Sequence, residues 1–362
     1  MPLIPSTTAT GGRPRVILGL MTFGPPNTES KGSRITTLDE YNKCLDYFQS
    51  QGYNEIDTAR SYVGGEQEGW TREANWKQRG LTLATKCYPT NPGDHRPENL
   101  RASLEKSLKE LGTDCVDIFY LHAPDRSIPF AATLKECNAL FKEGKFVQLG
   151  LSNYAAWEVA EIWNIANERG WVKPTIYQAM YNAITRDIEK ELIPCCRKYG
   201  LDLVVYNPVS SSLHPQISLE QLTDHPEQKQ LAGGVFSGKY KSKSEIPSEG
   251  RFANTSERTG KMYRERYFQD ATFQALQHIE PVVKQQGLTL VETALRWCVH
   301  HSQLKLANKG GNDGIIIGVS SFSQLQQNLA DLEKGPLPDE VVKVLDEAWD
   351  GFLKGRAPSY WR

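Results

Sequence analysis

Residues 54–62 read Asn-Glu-Ile-Asp-Thr-Ala-Arg-Ser-Tyr. Glu55-Ile56-Asp57 has the character of a short buried strand that ends on an acid, and the loop after it presents a phenol, Tyr62. Two later apolar runs end in the same way. Leu81-Thr82-Leu83-Ala84-Thr85-Lys86 finishes on an amine, and Val116-Asp117-Ile118-Phe119-Tyr120-Leu121-His122 finishes on an imidazole. Groups delivered at the carboxyl ends of different buried strands converge only if those strands lie side by side and parallel. That requirement decides the fold class.

The chain on either side meets it. Arg15–Gly24 reads as a first buried strand, stopped by Gly24-Pro25-Pro26. Residues 36–51 place Leu38, Tyr41, Leu45 and Phe48 at helical spacing before Gly52. A helix is expected from about Gly65 to Arg79. Another follows with Leu100, Leu104, Leu108 and Leu111 on one face, Pro97 near its start and Gly112 just past its end. The alternation continues through strands at 116–122, 146–152, 175–180 and 202–208, with helices at 130–143, 155–169 and 188–199 between them. A last strand, Gly314–Ser320, leads into the helix 323–329. Eight strands in strict alternation with helices predict a (β/α)8 barrel, an α/β TIM barrel, with a C-terminal extension. The competing open doubly wound sheet lacks a G-x-G-x-x-G after its first strand. Residues 15–362 are read as one domain, preceded by a flexible tail at 1–14.

Composition narrows the function. The apolar fraction is 39% and the formal net charge is -1, so nothing points to nucleic acid or an anionic membrane. No apolar run reaches the roughly 20 residues that span a bilayer. Seven cysteines without C-x-x-C spacing argue for a reducing compartment, here the cytoplasm, and against a disulfide framework or a zinc site. Cys195-Cys196 is read as part of a helix face, and His300-His301 offers no metal spacing; no metal is expected. The tail lacks a secretory core; its Ser/Thr-rich, acid-free composition is shared with mitochondrial presequences, but a plain flexible segment is the simpler reading.

Polar groups follow strands two to seven in turn: Asp57, Lys86, His122, Ser152 with Asn153, Gln178 and Tyr206. Each alone has an ordinary structural explanation, as a cap, a core histidine or a surface amine. Six in succession on the catalytic face of a barrel do not. Reducing a carbonyl by hydride leaves an alkoxide that must be protonated as it forms. A tyrosine, with an ordinary pKa of about 10, is too weak an acid unless its anion is favoured. Lys86 would favour it by Coulomb attraction, Asp57 would hold Lys86 charged and aimed, and His122 would orient the carbonyl oxygen. No side chain carries a hydride, so a nicotinamide cofactor is implied.

The segments Asp57–Tyr62, Leu83–Lys86, Tyr120–Asp125, Gly150–Tyr154, Tyr177–Asn182, Tyr206–Pro208, Ser237–Tyr240 and Ile315–Asn328 together resemble the aldo-keto reductases, most closely the aflatoxin aldehyde and succinic semialdehyde reductase branch. The resemblance runs from about Val16 to Arg362. It implies an NADPH-dependent reduction of small-molecule aldehydes and ketones, with Tyr62 as proton donor and Asp57, Lys86 and His122 as its partners. By the same resemblance NADPH/NADP+ lies across the barrel mouth. Asp57, Ser152, Asn153 and Gln178 hold its nicotinamide end and Tyr206 stacks on the ring, in a loop continuing through Asn207, Pro208, Gly233, Gly234, Ser237 and Gly238. Lys239 and Arg251 serve the phosphates, and Ser320, Ser321, Gln324, Gln327 and Asn328 grip the adenosine end. Ser320 and Ser321 also make sense unaided, because the start of a helix after the eighth strand favours an anion. Arg264, in Tyr-Arg-Glu-Arg-Tyr, and Arg362, at the end of Tyr-Trp-Arg, resemble a clamp for a substrate carboxylate. A homodimer is implied by the branch alone.

Residues 209–230 depart from that pattern. Deleting them joins Pro208 to Leu231 and restores the expected cofactor loop. Val209-Ser210, Leu222-Thr223 and Gln230 can be encoded by a 5′ splice consensus, a CTGAC branch sequence and a terminal CAG, which reads as a retained intron. The competing reading is a translated surface insertion, tolerable in entropy but awkward beside the pyrophosphate. Translated, it predicts weaker NADPH binding than in a chain lacking 209–230. Sequencing the spliced transcript separates the two. The remaining alternatives for function are a non-catalytic NADPH-binding regulatory subunit and an inactive product of a misread gene. The physiological carbonyl, whether in detoxification, primary or secondary metabolism, is left open.

Overall fold

A computed structural model describes residues 13–208 and 269–362. Eight strands, β1 (Arg15–Gly19), β2 (Glu55–Asp57), β3 (Thr82–Cys87), β4 (Val116–Leu121), β5 (Phe146–Ser152), β6 (Pro174–Met180), β7 (Asp202–Tyr206) and β8 (Gly314–Gly318), pair in sequence order. Every pairing is parallel, and β1 closes on β8 with Arg15 opposite Gly314 and Gly19 opposite Gly318. The chain is therefore the expected (β/α)8 barrel, continued by the helix Asp339–Ala348 and a C-terminal segment.

Local chemistry explains the helices. Pro97 occupies the first turn of Pro97–Leu111, where no intrahelical N–H is needed, and Gly112 ends that helix at φ 69°. Leu100, Leu104, Leu108 and Leu111 are buried, each worth about 1.5–3 kcal/mol when removed from water. Thr37 caps Leu38–Ser50 by accepting from the Glu40 N–H. The helix expected over 65–79 is shorter, Gln67–Glu73, because Asn75 adopts φ 57° and turns the chain so that Trp76 can donate its indole N–H to Leu111 O at 2.9 Å. The helix expected over 188–199 divides into a single turn, Asp187–Glu189, and the helix Leu192–Tyr199. Pro194 sits in the first turn of the latter, where its missing N–H costs nothing.

Two apolar layers form the core. The larger lies between the sheet and its helices, and a smaller one fills the barrel with Ile17, Ala84, Ile118, Tyr120, Ile176, Val204 and Ile316. Gly150 of β5 faces this inner layer, and a Cβ there would overlap Cδ1 of Tyr120, so the tyrosine ring takes the space a side chain would need. Among the described residues no helix is long and apolar enough to cross a membrane.

Candidate active site

The inner layer sets the site through strand periodicity. Side chains two positions apart share a face. Lys86 follows Ala84 at that interval, His122 follows Tyr120, Gln178 follows Ile176 and Tyr206 follows Val204, so each is delivered to the carboxyl end of the barrel interior. Asp57 and Ser152 end β2 and β5 on the same face as Glu55 and Gly150.

Lys86 is fully buried and its ammonium is the centre of the cluster. It forms an ion pair with Asp57 Oδ1, donates to Thr58 O at 2.7 Å and donates to Tyr62 Oη at 3.3 Å. Those are three acceptors for three ammonium protons. The second carboxylate oxygen, Asp57 Oδ2, accepts from Gln178 Nε2 at 2.9 Å. Burial pulls the lysine below its ordinary pKa and pushes the aspartate above its own, while their mutual attraction opposes both shifts. Both carboxylate oxygens and all three ammonium positions are engaged, and these hydrogen bonds act with the mutual attraction to oppose the pull of burial.

The His122 ring stands edge-on to Tyr62, centroids 6.1 Å apart, and edge-on to Tyr88 at 5.4 Å. Its Nδ1 is buried with no hydrogen-bond partner among the described residues, which leaves Nε2 as the atom through which the ring can meet a ligand. Burial, then Lys86 and Arg362, hold its pKa well below 6.5, so the imidazole is neutral at physiological pH. The Arg362 guanidinium lies against Tyr88, with Nη1 3.5 Å from Tyr88 Oη, and the Arg362 backbone N–H donates to Asn153 O at 3.0 Å. Arg126 donates to Arg362 O at 2.6 Å and pairs with the buried Glu158, which ties the C-terminal segment to the helix Ala156–Glu168.

Across the mouth, Asn153 takes φ 63°, and its Nδ2 donates to His122 O at 2.8 Å and Ser152 Oγ at 3.0 Å. Tyr206 Oη donates to Asn153 Oδ1 at 3.2 Å, and Asn207 takes φ 54° beside the buried Pro208. A carboxamide needs acceptors for two N–H groups and a donor for its oxygen. Asn153 Oδ1 keeps a second lone pair for one of those N–H groups and the Ser152 hydroxyl can donate to the oxygen, so these two residues suit one N–H and the oxygen of a nicotinamide carboxamide. Ser320, Ser321, Gln324, Gln327 and Asn328 form a separate group at the start of the helix Phe322–Leu332. Ser321 Oγ accepts from the Gln324 N–H at 3.3 Å, and the Ser320 N–H donates to Gln324 Oε1 at 2.6 Å. Gln327 donates to Asp331 at 3.0 Å and Asn328 is buried. Gly233, Gly234, Ser237, Gly238, Lys239, Arg251, Arg264 and the 209–230 segment lie outside the described residues.

Four participants escape a reading of strand ends alone. Thr58 contributes a backbone carbonyl, which no residue type advertises. Tyr88 lies two residues past the end of the Lys86 motif, a place the period-2 pattern could have flagged. Glu40 accepts from the Phe322 N–H at 3.2 Å, and Lys43 stands 4.2 Å over the Phe322 ring; both come from the first helix, roughly 280 residues away in sequence.

The parallel eight-stranded barrel thus holds a buried Asp–Lys pair beneath a phenol at the carboxyl end of its strands. Comparison places it further. The aldo/keto reductase family pattern matches residues 15–350, and the chain belongs to that family and is an NADP-dependent oxidoreductase of its kind. It is similar to aflatoxin B1 aldehyde reductase member 2 of Rattus norvegicus, 38% identical over 99% of this chain and 91% of the relative. It is likewise similar to an aldo-keto reductase of Pseudocercospora fijiensis, 40% identical over 87% of this chain and 99% of the relative. The aldo-keto reductase pigE of Monascus ruber is 38% identical over 94% and 95% of the two chains.

Proposed function

We propose that the chain reduces aldehydes bearing a carboxylate, along with simpler aldehydes and ketones, with NADPH as reductant and Tyr62 as proton donor. The observation that carries this reading is the triple engagement of Lys86, with Asp57, Thr58 O and Tyr62 Oη. Bound NADPH supplies the hydride. Ser152, Asn153 and Gln178 would hold its carboxamide, Tyr206 its ring, and the start of Phe322–Leu332 its adenosine phosphate.

The remaining steps belong to this chain's side chains. His122, neutral and facing the mouth through Nε2, hydrogen-bonds the carbonyl oxygen and fixes its orientation. Negative charge grows on that oxygen as the carbonyl is reduced, and Tyr62 gives it a proton. The phenolate left behind sits beside a cation already in place, so little reorganisation is needed as the proton moves. Asp57 keeps Lys86 charged, and its link to Gln178 joins the proton-donating half of the site to the cofactor half. The Arg362 guanidinium beside Tyr88 and His122 would receive a substrate carboxylate. The rat relative is by name an aflatoxin B1 aldehyde reductase, which supports an aldehyde substrate class. The test is NADPH consumption with succinic semialdehyde and with 4-nitrobenzaldehyde: turnover of both is expected, and inertness toward both would overturn the proposal.

A further inference from the structure

The residue after the phenol has a backbone its type resists. Val63 takes φ 51°, ψ 43°, followed by Gly64 at φ 65° and Gly65 at φ 92°. Glycines enter that left-handed region freely, whereas a β-branched residue there is a genuine outlier that carries backbone strain. Such strain persists only where the surroundings impose it. Here the Val63 side chain is buried at 3% exposure and packs against Gly24, where an added Cβ would lie 2.7 Å from Val63 Cγ1. The same Cβ would crowd Thr28 Oγ1 at 2.9 Å, so the loop after β1 is shaped around the valine.

The rest of the turn is fastened to the Lys86 strand. The Arg60 N–H donates to Lys86 O at 3.0 Å, and its guanidinium bonds Gly65 O and the fully buried Glu68. Glu68 in turn accepts from Thr85 Oγ1 at 2.6 Å, next to Lys86. The Glu66 N–H closes the turn on Val63 O at 3.3 Å, and Lys31 pairs with Glu66 from the loop above. Tyr62 thus stands between two fixed points, the Arg60 strut on one side and the valine anchor on the other.

We propose that Val63 is a positioning residue for Tyr62: its buried side chain pins a left-handed turn that fixes the phenol against Lys86. The inference rests on the reading of Tyr62 as proton donor. A misplacement of about 1 Å can cost roughly 100-fold in rate. Val63→Gly removes the anchor and frees the backbone, whereas Val63→Ala removes most of the anchor and keeps the backbone constraint. Each is expected to lower kcat by about tenfold or more. NADPH affinity by fluorescence titration and KM for 4-nitrobenzaldehyde should hardly change, and the solvent deuterium isotope effect on kcat should rise as proton delivery becomes limiting. If Val63→Gly does not fold, Val63→Ala carries the test. Unchanged kcat in the folded variants, or parallel loss of kcat and NADPH affinity, overturns the inference. Tyr62→Phe in the same series separates the two readings: an inactive Tyr62→Phe beside a fully active Val63→Gly removes only the anchor, whereas a fully active Tyr62→Phe removes the donor itself.

Discussion

Gln178 Nε2 donates to Asp57 Oδ2 at 2.9 Å across 121 residues of sequence, and Asp57 Oδ1 is in turn paired with Lys86. The aspartate is thus the hinge between the side chains that would hold the cofactor and those that would hold the proton. Asp57→Asn keeps the shape but leaves the Lys86 ammonium buried without a counter-charge. Breaking a buried pair in this way costs about 3–5 kcal/mol. Urea unfolding at neutral pH should show a loss of that size, and a loss below about 1 kcal/mol would mean the pair is not ionised in the folded chain.

His122 gives the stability a sign with pH. Its folded pKa lies well below 6.5, the ordinary value that the unfolded chain restores. Between the two values the unfolded state binds the extra proton. The contribution is therefore fully present above about 6.5 and is lost as pH falls toward the folded value. Buried His95, also lowered by burial, acts in the same sense. His122→Asn should flatten the fall in unfolding free energy between neutral pH and pH about 5, relative to the parent chain. Identical slopes would place a charged or exposed imidazole at this position.

Arg362 should discriminate among substrates. A hydrogen bond to a charged group contributes about 1.5–3 kcal/mol. Arg362→Ala is expected to raise KM for succinic semialdehyde by about ten- to a hundredfold while leaving 4-nitrobenzaldehyde nearly unaffected. An equal rise for both would show that the residue supports the barrel mouth through its contact with Tyr88 and does not bind a carboxylate.

Glu40 would oppose a cofactor phosphate at the start of Phe322–Leu332. Its carboxylate occupies the Phe322 N–H, which a cofactor phosphate at this helix start would want. Glu40→Gln removes a like charge whose effect at a helix terminus is about 0.3–1 kcal/mol. NADPH should bind about two- to fivefold more tightly, and NADH with unchanged affinity. Weaker NADPH binding in the variant would mean that Glu40 organises the site and does not oppose the phosphate.

The barrel was legible because its signals are local. Period-2 apolar runs, leucines at helical spacing, and Pro97 and Gly112 at the helix ends all act within a few residues. The cluster of Asp57, Lys86, Tyr62 and His122 was legible for a related reason: strand parity carries each to one face once the strands are parallel. What escaped depends on the third dimension. The Thr58 carbonyl has no signature, and Glu40 meets Phe322 only because the first and last barrel helices are neighbours on closure. The left-handed Val63 ran against its own backbone preference. Its side chain packs against Gly24, which signalled only a turn.

Proton donation by Tyr62 is tested by removing its hydroxyl. Tyr62→Phe keeps the ring against His122 and Lys86 and deletes one oxygen. General acid catalysis is worth about 100- to 10,000-fold, so steady-state kcat for 4-nitrobenzaldehyde should fall by a factor in that range while NADPH affinity by fluorescence titration stays as in the parent chain. Turnover equal to the parent's in this variant would rule out Tyr62 as the proton donor.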